Sequence, residues 1–312
     1  MKNRCLALLC SVAGVTSSHA IEGALPRSVS GASVMPYQGL IPPDPGFIVG
    51  LGEMYYAGDI GASRPIPLHG NLAANVDASL SFTPLTLMYI WDTPSDCWNF
   101  ASGASLALAY VDVEASVTVG PLTGQRSQDK FGLYDLAITP IIASHHFSKT
   151  DHLSLGLTVW APTGEYEEGA LANLSTNNWT FIPTVAYTKI FPASNIEFTA
   201  QWSLEIYTEN EATDYQNGVL SDLEFTAIKR FGNGFGVGLV GSWMEQLSDD
   251  DGPTADALNG FSGRAFGLGP IFTYATKFGE SDFSLNARWI HEFENENLLE
   301  GDLGMLSMTL KF

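Results

Sequence analysis

After residue 45, apolar and polar residues alternate with a period of two along nearly the whole chain, the pattern of strands with two unlike faces. Leu153, Leu155, Leu157 and Val159 alternate with Ser154, Gly156, Thr158 and Trp160. Ile196, Phe198, Ala200, Trp202 and Leu204 alternate with Glu197, Thr199, Gln201, Ser203 and Glu205, and Phe283, Leu285, Ala287 and Trp289 with Ser284, Asn286, Arg288 and Ile290. Clusters of Gly, Pro, Asn, Asp and Ser divide the pattern into runs. Twelve strands are predicted, near 46–57, 72–91, 98–118, 131–147, 152–164, 176–190, 195–207, 218–231, 235–247, 261–277, 282–293 and 302–312.

The connections alternate in length. Short ones are Asp92 to Cys97, Ser148 to Asp151, Phe191 to Ser194, Gly232 to Gly234 and Phe278 to Ser281; long ones are 58–71, 119–130, 165–175, 208–217, 248–260 and 294–301. Transmembrane barrels have an even number of antiparallel strands, short periplasmic turns and longer extracellular loops. Alternation alone does not say which face is inward, but aromatic placement does. Trp91 and Trp98, Phe231 and Phe235, and Phe278 and Phe283 flank three short turns, and Phe147 and Phe191 adjoin the other two, as a girdle at a membrane interface requires. The reading is an all-β, transmembrane, antiparallel up-and-down barrel of twelve strands, with first and last strands paired because only a closed sheet removes every edge from hydrocarbon.

The first twenty residues support export. Lys2 and Arg4 precede an apolar run from Cys5 to Val15, and Ser18-His19-Ala20 supplies small residues for cleavage, the form of a signal peptide spanning 1–20. Its loss leaves Cys97 as the remaining cysteine, so no intramolecular disulfide is expected. The formal charge of −20 becomes −20 − 2 = −22 when Lys2 and Arg4 leave, which makes nucleic acid an improbable partner. Residues 21–45, rich in Pro, Gly and Ser, show no strand period and fit either a periplasmic tail or a plug in the lumen. The expected location is the outer membrane of a Gram-negative cell, with its lipids and barrel-assembly machinery as partners.

From Pro43 to Phe312 the chain resembles a known family. The residues that carry the resemblance are Pro43-Asp44-Pro45-Gly46-Phe47 leading into Tyr55-Tyr56, Ala161-Pro162-Thr163-Gly164-Glu165-Tyr166, and Ala172-Asn173-Leu174 followed by Asn178-Trp179-Thr180-Phe181. Asn210-Glu211-Ala212-Thr213-Asp214-Tyr215, Gln246-Leu247-Ser248-Asp249-Asp250, Gly269-Pro270 and Glu292-Phe293 follow in order. They are similar to the family named for the meta-pathway of phenol degradation, with Ser175 standing where such proteins usually have glycine. The resemblance implies an outer-membrane barrel that passes hydrophobic or aromatic compounds. The final alternation of Leu306, Met308, Leu310 and Phe312 resembles the terminal signal that such barrels present to their assembly machinery, with Phe312 as its end.

Candidate chemistry falls into two groups. One is the polar face of the strands, with Glu197, Gln201, Glu205, Asn286, Arg288, Glu292 and Lys311 expected to face the lumen, either bracing the wall through mutual salt bridges or tuning selectivity. The other is a set of acidic loops, of which Asp249-Asp250-Asp251 is the densest. These are either solvated tips or, where carboxylates converge, a Ca²⁺ site. No other cofactor is expected. His152-Leu153-Ser154 is the nearest approach to a lipase site, but it adjoins a short turn and Leu155 follows where asparagine is wanted, so no catalysis is expected. His145-His146, with no third ligand nearby in sequence, is read as an interfacial pair. The functional expectation is passive uptake of a small hydrophobic or aromatic solute; the alternative is a non-conducting structural or adhesive barrel presenting acidic extracellular loops.

Overall fold

The computed structural model describes residues 22, 25–61, 65–119, 122–258 and 263–312; the expected signal segment 1–20 lies outside them. The strands are β1 (Gly46–Ile60), β2 (Ile66–Leu68), β3 (Asn71–Ile90), β4 (Trp98–Val119), β5 (Leu122–Leu133), β6 (Leu136–His146) and β7 (Asp151–Ala161). They continue with β8 (Thr180–Phe191), β9 (Ile196–Tyr207), β10 (Leu220–Arg230), β11 (Phe235–Gln246), β12 (Arg264–Phe278), β13 (Ser281–Glu296) and β14 (Glu300–Lys311). One short helix, α1 (Pro253–Ala257), lies in the connection after β11.

Antiparallel pairing closes the sheet. β14 lies against β1 from Ile48↔Lys311 to Asp59↔Glu300, and the backbones of Phe47 and Phe312 exchange hydrogen bonds of 2.9 and 3.0 Å at the seam. Two wall positions are each filled by two segments. β5 and β6 both pair with β4, Leu133 opposite Leu108 and Ala137 opposite Ser105, while β1 and β2 both pair with β3. Fourteen segments therefore make a closed barrel of twelve strands.

Three expectations about loops are corrected. The stretch 119–130, read as a loop, is mostly β5, paired with β4 from Leu108↔Leu133 to Val119↔Leu122. Gly124 to Ser127 are exposed, so both faces of this stretch meet water and no apolar alternation marks it. The stretch 294–301 shrinks to Asn297, Leu298 and Leu299 between β13 and β14, with both leucines buried. The stretch 165–175, an acidic loop read as either a solvated tip or part of a Ca²⁺ site, has exposed glutamates at its start, but Ala170 through Ser175 are buried, with Ala172 at 0%. Their apolar run fills the inside of the barrel rather than facing solvent.

The decisive feature is which face is wet. On β9, Glu197, Gln201 and Glu205 are buried while Ile196, Trp202 and Ile206 are exposed. On β11 and β12, Val237, Leu239, Trp243, Leu268 and Phe272 are exposed. An outward face of this composition is stable only against lipid. Exposed Trp91, Trp98, Phe147, Phe191, Phe231, Phe235 and Phe278 ring the short-turn end, and Tyr55, Tyr110, Trp179, Trp243 and Trp289 form a second exposed aromatic set toward the other. The barrel spans a membrane between these girdles. Leu239→Arg, at mid-strand between Ala227 and Pro270, should lower the folding free energy into lipid vesicles by about 2–4 kcal/mol. Unchanged urea midpoints in vesicles would show that this face does not meet lipid.

Candidate functional site

The site is assembled from the inner wall and residues 25–45. Prolines at 26, 36, 42, 43 and 45 deny this segment a strand ladder, so its backbone groups must find other partners. Turns satisfy some: Ala32 donates to Val29 O at 2.9 Å, Gln38 to Met35 O at 3.2 Å and Leu40 to Tyr37 O at 2.8 Å. Most other amides end on the wall. The Arg27 and Ser28 N–H groups donate to Glu205 at 3.2 and 2.8 Å. Ser33 (3.4 Å) and Val34 donate to Glu224, Tyr37 to Glu197 at 2.7 Å and Gly39 to Thr188 Oγ1 at 3.0 Å.

The carbonyls are matched in the same way. Arg288 Nη1 donates to Gly31 O and Val34 O at 2.7 and 2.8 Å, while the Ser144 and Ser154 hydroxyls donate to Gly39 O and Gln38 O at 2.8 and 2.9 Å. Val29 and Val34 pack with Ile228, Val240, Ile271 and Ile290, so the segment lies inside the barrel. Two glycines permit the close fit. Gly31 has φ +72°, and a Cβ there would stand 2.5 Å from Ile290 Cδ1; at Gly39 it would stand 2.6 Å from the Thr188 amide nitrogen.

Arg27 is the strongest single anchor. Its guanidinium meets Asp135 at 2.7 Å, with both side chains almost wholly buried, and its other nitrogens donate to Thr180 and Thr176. It also lies over Trp160 and Tyr134, 5.2 and 5.6 Å from the ring centroids. Asp135 interrupts the wall between β5 and β6 and accepts the Thr163, Gly164 and Thr176 amides at 2.9, 2.9 and 3.3 Å. One carboxylate therefore ties the N-terminal segment to both ends of the loop between β7 and β8.

Beside this anchor, Phe82, Tyr134 and Trp160 form an inward aromatic row, with centroids 5.4 and 6.0 Å apart at near-perpendicular angles. A small pocket of about 90 Å³ adjoins it, lined by Leu68, Leu80, Val113, Tyr134, Leu171 and Leu299, with Glu22 and His69 at its polar edge. Burial pushes His69 down to about 4, outweighing the Ala170 carbonyl 3.1 Å from Nδ1, so the ring is neutral at physiological pH.

Of the lumen candidates, Glu197, Gln201, Glu205, Asn286, Arg288 and Glu292 are all buried. Mutual salt bridging does not account for them. Glu205 binds backbone amides, Glu292 accepts from Ser30 Oγ at 2.5 Å and Tyr56 at 2.8 Å, and Asn286 bonds Ser307 and Arg288. Glu197 does pair with a cation, Arg230, whose guanidinium stacks 4.4 Å from the Tyr37 ring centroid. Lys311 sits apart, 3.9 Å from Asp44. His145 packs on Trp98 and Phe147 at 4.7 and 4.5 Å, whereas His146 turns to His152, their Nδ1 atoms 2.8 Å apart.

The loop aspartates diverge. Asp249 and Asp251 are exposed and Asp250 is buried, accepting from the Tyr215 hydroxyl, the Gly218 amide at 2.6 Å and Gln246 Nε2 at 2.5 Å. Among the described residues no three histidine, cysteine or carboxylate side chains converge as metal ligands.

The family model described as "Putative MetA-pathway of phenol degradation" matches residues 62–308. The chain belongs to this family. A solved outer membrane channel from Pseudomonas putida F1 shares the fold, with TM-score 0.69 and 15% identity over 89% of this chain and 100% of that one. The β domain of the Bordetella autotransporter BrkA aligns with TM-score 0.48 and 10% identity over 86% of this chain and 100% of that one. A FadL homologue of Pseudomonas aeruginosa aligns with TM-score 0.43 and 8% identity, over 89% and 95%. No curated protein sequence matches. The shared fold is that of a closed transmembrane β-barrel of the outer-membrane type.

Arg27, Asp135, Glu224 and the aromatic row carry the site without having been singled out in the sequence. One signal was present: Arg27 is the only basic residue between positions 21 and 45 of a strongly acidic chain. Arg27→Met or Asp135→Asn should each destabilise the barrel by about 3 kcal/mol, and the double variant by less than the sum; additive losses would show that the two side chains do not interact. A second expectation concerns pH. Burial pushes Asp250 up to about 8, against hydrogen bonds from Gly218, Tyr215 and Gln246 that pull it down. The folded value lies above the unfolded value of about 3.9, so the stabilisation is complete below pH 4 and is lost as pH rises through about 8. Proteolysis of loop 248–258 should accelerate between pH 6 and pH 9 relative to a loop-independent control, and Asp250→Asn should flatten that rise; a profile identical in both proteins refutes the assignment.

Proposed function

We propose that the barrel admits small apolar or aromatic solutes across the outer membrane by diffusion, with residues 25–45 acting as a plug that narrows the path. The observation that carries this reading is the apolar pocket beside the Phe82–Tyr134–Trp160 row, inside a wall that is otherwise hydrogen-bonded to the segment. Aromatic faces and edges offer offset and perpendicular contacts to a ring of phenol size, and Glu22 and His69 supply a polar edge for a hydroxyl group.

Size supports a gated path rather than an open one. The pocket's roughly 90 Å³ is smaller than the apolar cavity of about 150 Å³ that accepts benzene. A solute therefore enters as the neighbouring segment shifts. Leu25, which lines the pocket, is part of that segment and would move with it. The outer membrane channel of P. putida supports the reading through its shared fold.

Liposome swelling with a panel from sugars to phenols provides the test. Faster entry of phenols than of sugars of similar mass is expected, and deletion of residues 21–42 should raise sugar permeation by about tenfold or more, in keeping with an aqueous lumen of larger bore. Equal rates for both solute classes in the intact protein would indicate a general porin, and no permeation by either protein would favour the structural or adhesive reading.

A further inference from the structure

We propose that Asp222 and Glu224 of β10, together with Gln201 and Ser203 of β9, hold a calcium ion between the wall and the N-terminal segment. Asp222 and Glu224 stand two residues apart on one strand face, each at 0% exposure. Pairing puts Ser203 directly across from Asp222 and Gln201 directly across from Glu224, close enough for side chains to meet. Ser242 of β11 lies opposite Glu224 on the other side.

The oxygens of this patch lack partners. Both Asp222 carboxylate oxygens, Gln201 Oε1, Ser203 Oγ and Ser242 Oγ are buried and receive no hydrogen bond, although Gln201 and Ser203 are only 3% and 1% exposed. Glu224 differs, its Oε1 and Oε2 accepting the Ser33 and Val34 amides respectively. Neither carboxylate enters an ion pair among the described residues. Arg288, whose charge acts on Glu224, spends its donors on Asn286, Gly31 and Val34. Arg27 spends its donors on Asp135, Thr176 and Thr180.

Two adjacent buried carboxylates without a cation would be strongly unfavourable. An ion with charge +2 resolves this, and the chemistry of the donors selects which. All are oxygens, with two charges and several neutral groups, and the positions come from three flexible side-chain lengths on neighbouring strands. Calcium accepts six to eight such oxygens in irregular arrangement, whereas magnesium demands near-octahedral geometry and keeps its waters. Among the described residues no third carboxylate, histidine or cysteine joins the pair as a metal ligand, so Gln201, Ser203 and Ser242 complete the set. Because Ser33 and Val34 close over Glu224, the ion loads as the barrel folds, and it then braces the segment from behind.

Barrel refolded from urea with calcium, then exchanged into calcium-free buffer, should retain about one ion per chain by elemental analysis and should melt at a higher temperature than barrel refolded in chelator. Asp222→Asn should lose that ion, while the doubly substituted loop variant Asp249→Asn, Asp251→Asn should keep it. Ser203→Ala, which leaves both charges in place, should release calcium about tenfold faster, and it keeps the question answerable if Asp222→Asn folds poorly. Wild-type barrel that retains no calcium, or Asp222→Asn and Ser203→Ala variants that retain it as the wild type does, would overturn the site; the two carboxyls would then share a proton instead.

Discussion

Backbone amides that cannot join a ladder still need partners once they are buried, and in this protein that requirement organises the interior. Residues 27–39, with Pro36 inside and Pro26 and Pro42 flanking them, form no strand, yet they lie where water is scarce. The wall answers with carboxylates: Glu205, Glu224 and Glu197 accept amides from successive parts of the segment. Hydrogen bonds to ionised acceptors are stronger than neutral ones. The segment, which also buries Val29 and Val34 against the wall, is thereby held by a wall whose inner face is acidic.

The same requirement shapes the outside by opposite means. Facing lipid, every strand group must be satisfied within the sheet, and the β1–β14 seam meets this along its full length. Phe312 contributes at that seam through its backbone exchange with Phe47 and a ring contact at 6.5 Å. Outward side chains then have only to be apolar. Inward ones carry the polar diversity, which is why the chemistry of the molecule, from the Arg27–Asp135 pair to the Asp222–Glu224 pair, sits behind the wall.

The barrel was legible because lipid and lumen impose opposite demands on alternate residues, as the runs at 153–160 and 196–205 show. Where that contrast fades, so did the reading: β5 stands in water on both faces around Gly124 to Ser127 and gave no period. The lumen residues were identified by face but not by partner. Glu205 and Arg288 look like members of a charge network in sequence, whereas their partners are backbone groups from 177 and 257 positions away. Contacts of that separation leave no local pattern. The inward turn of Ala170 to Ser175 was hidden for a related reason, since three neighbouring glutamates mark its start as solvated.

The central claim is that polar side chains of the wall, Glu197, Glu205, Glu224 and Thr188, hold the backbone of residues 27–39 inside the folded barrel. Hydrogen exchange resolved to single amides in detergent-solubilised protein tests it most directly. The account predicts that Ser28, Val34, Tyr37 and Gly39 are protected to a degree comparable with strand amides such as those of β9, and that Glu224→Gln selectively weakens protection at Ser33 and Val34. Exchange of these four amides at the rate of an unstructured peptide would contradict it.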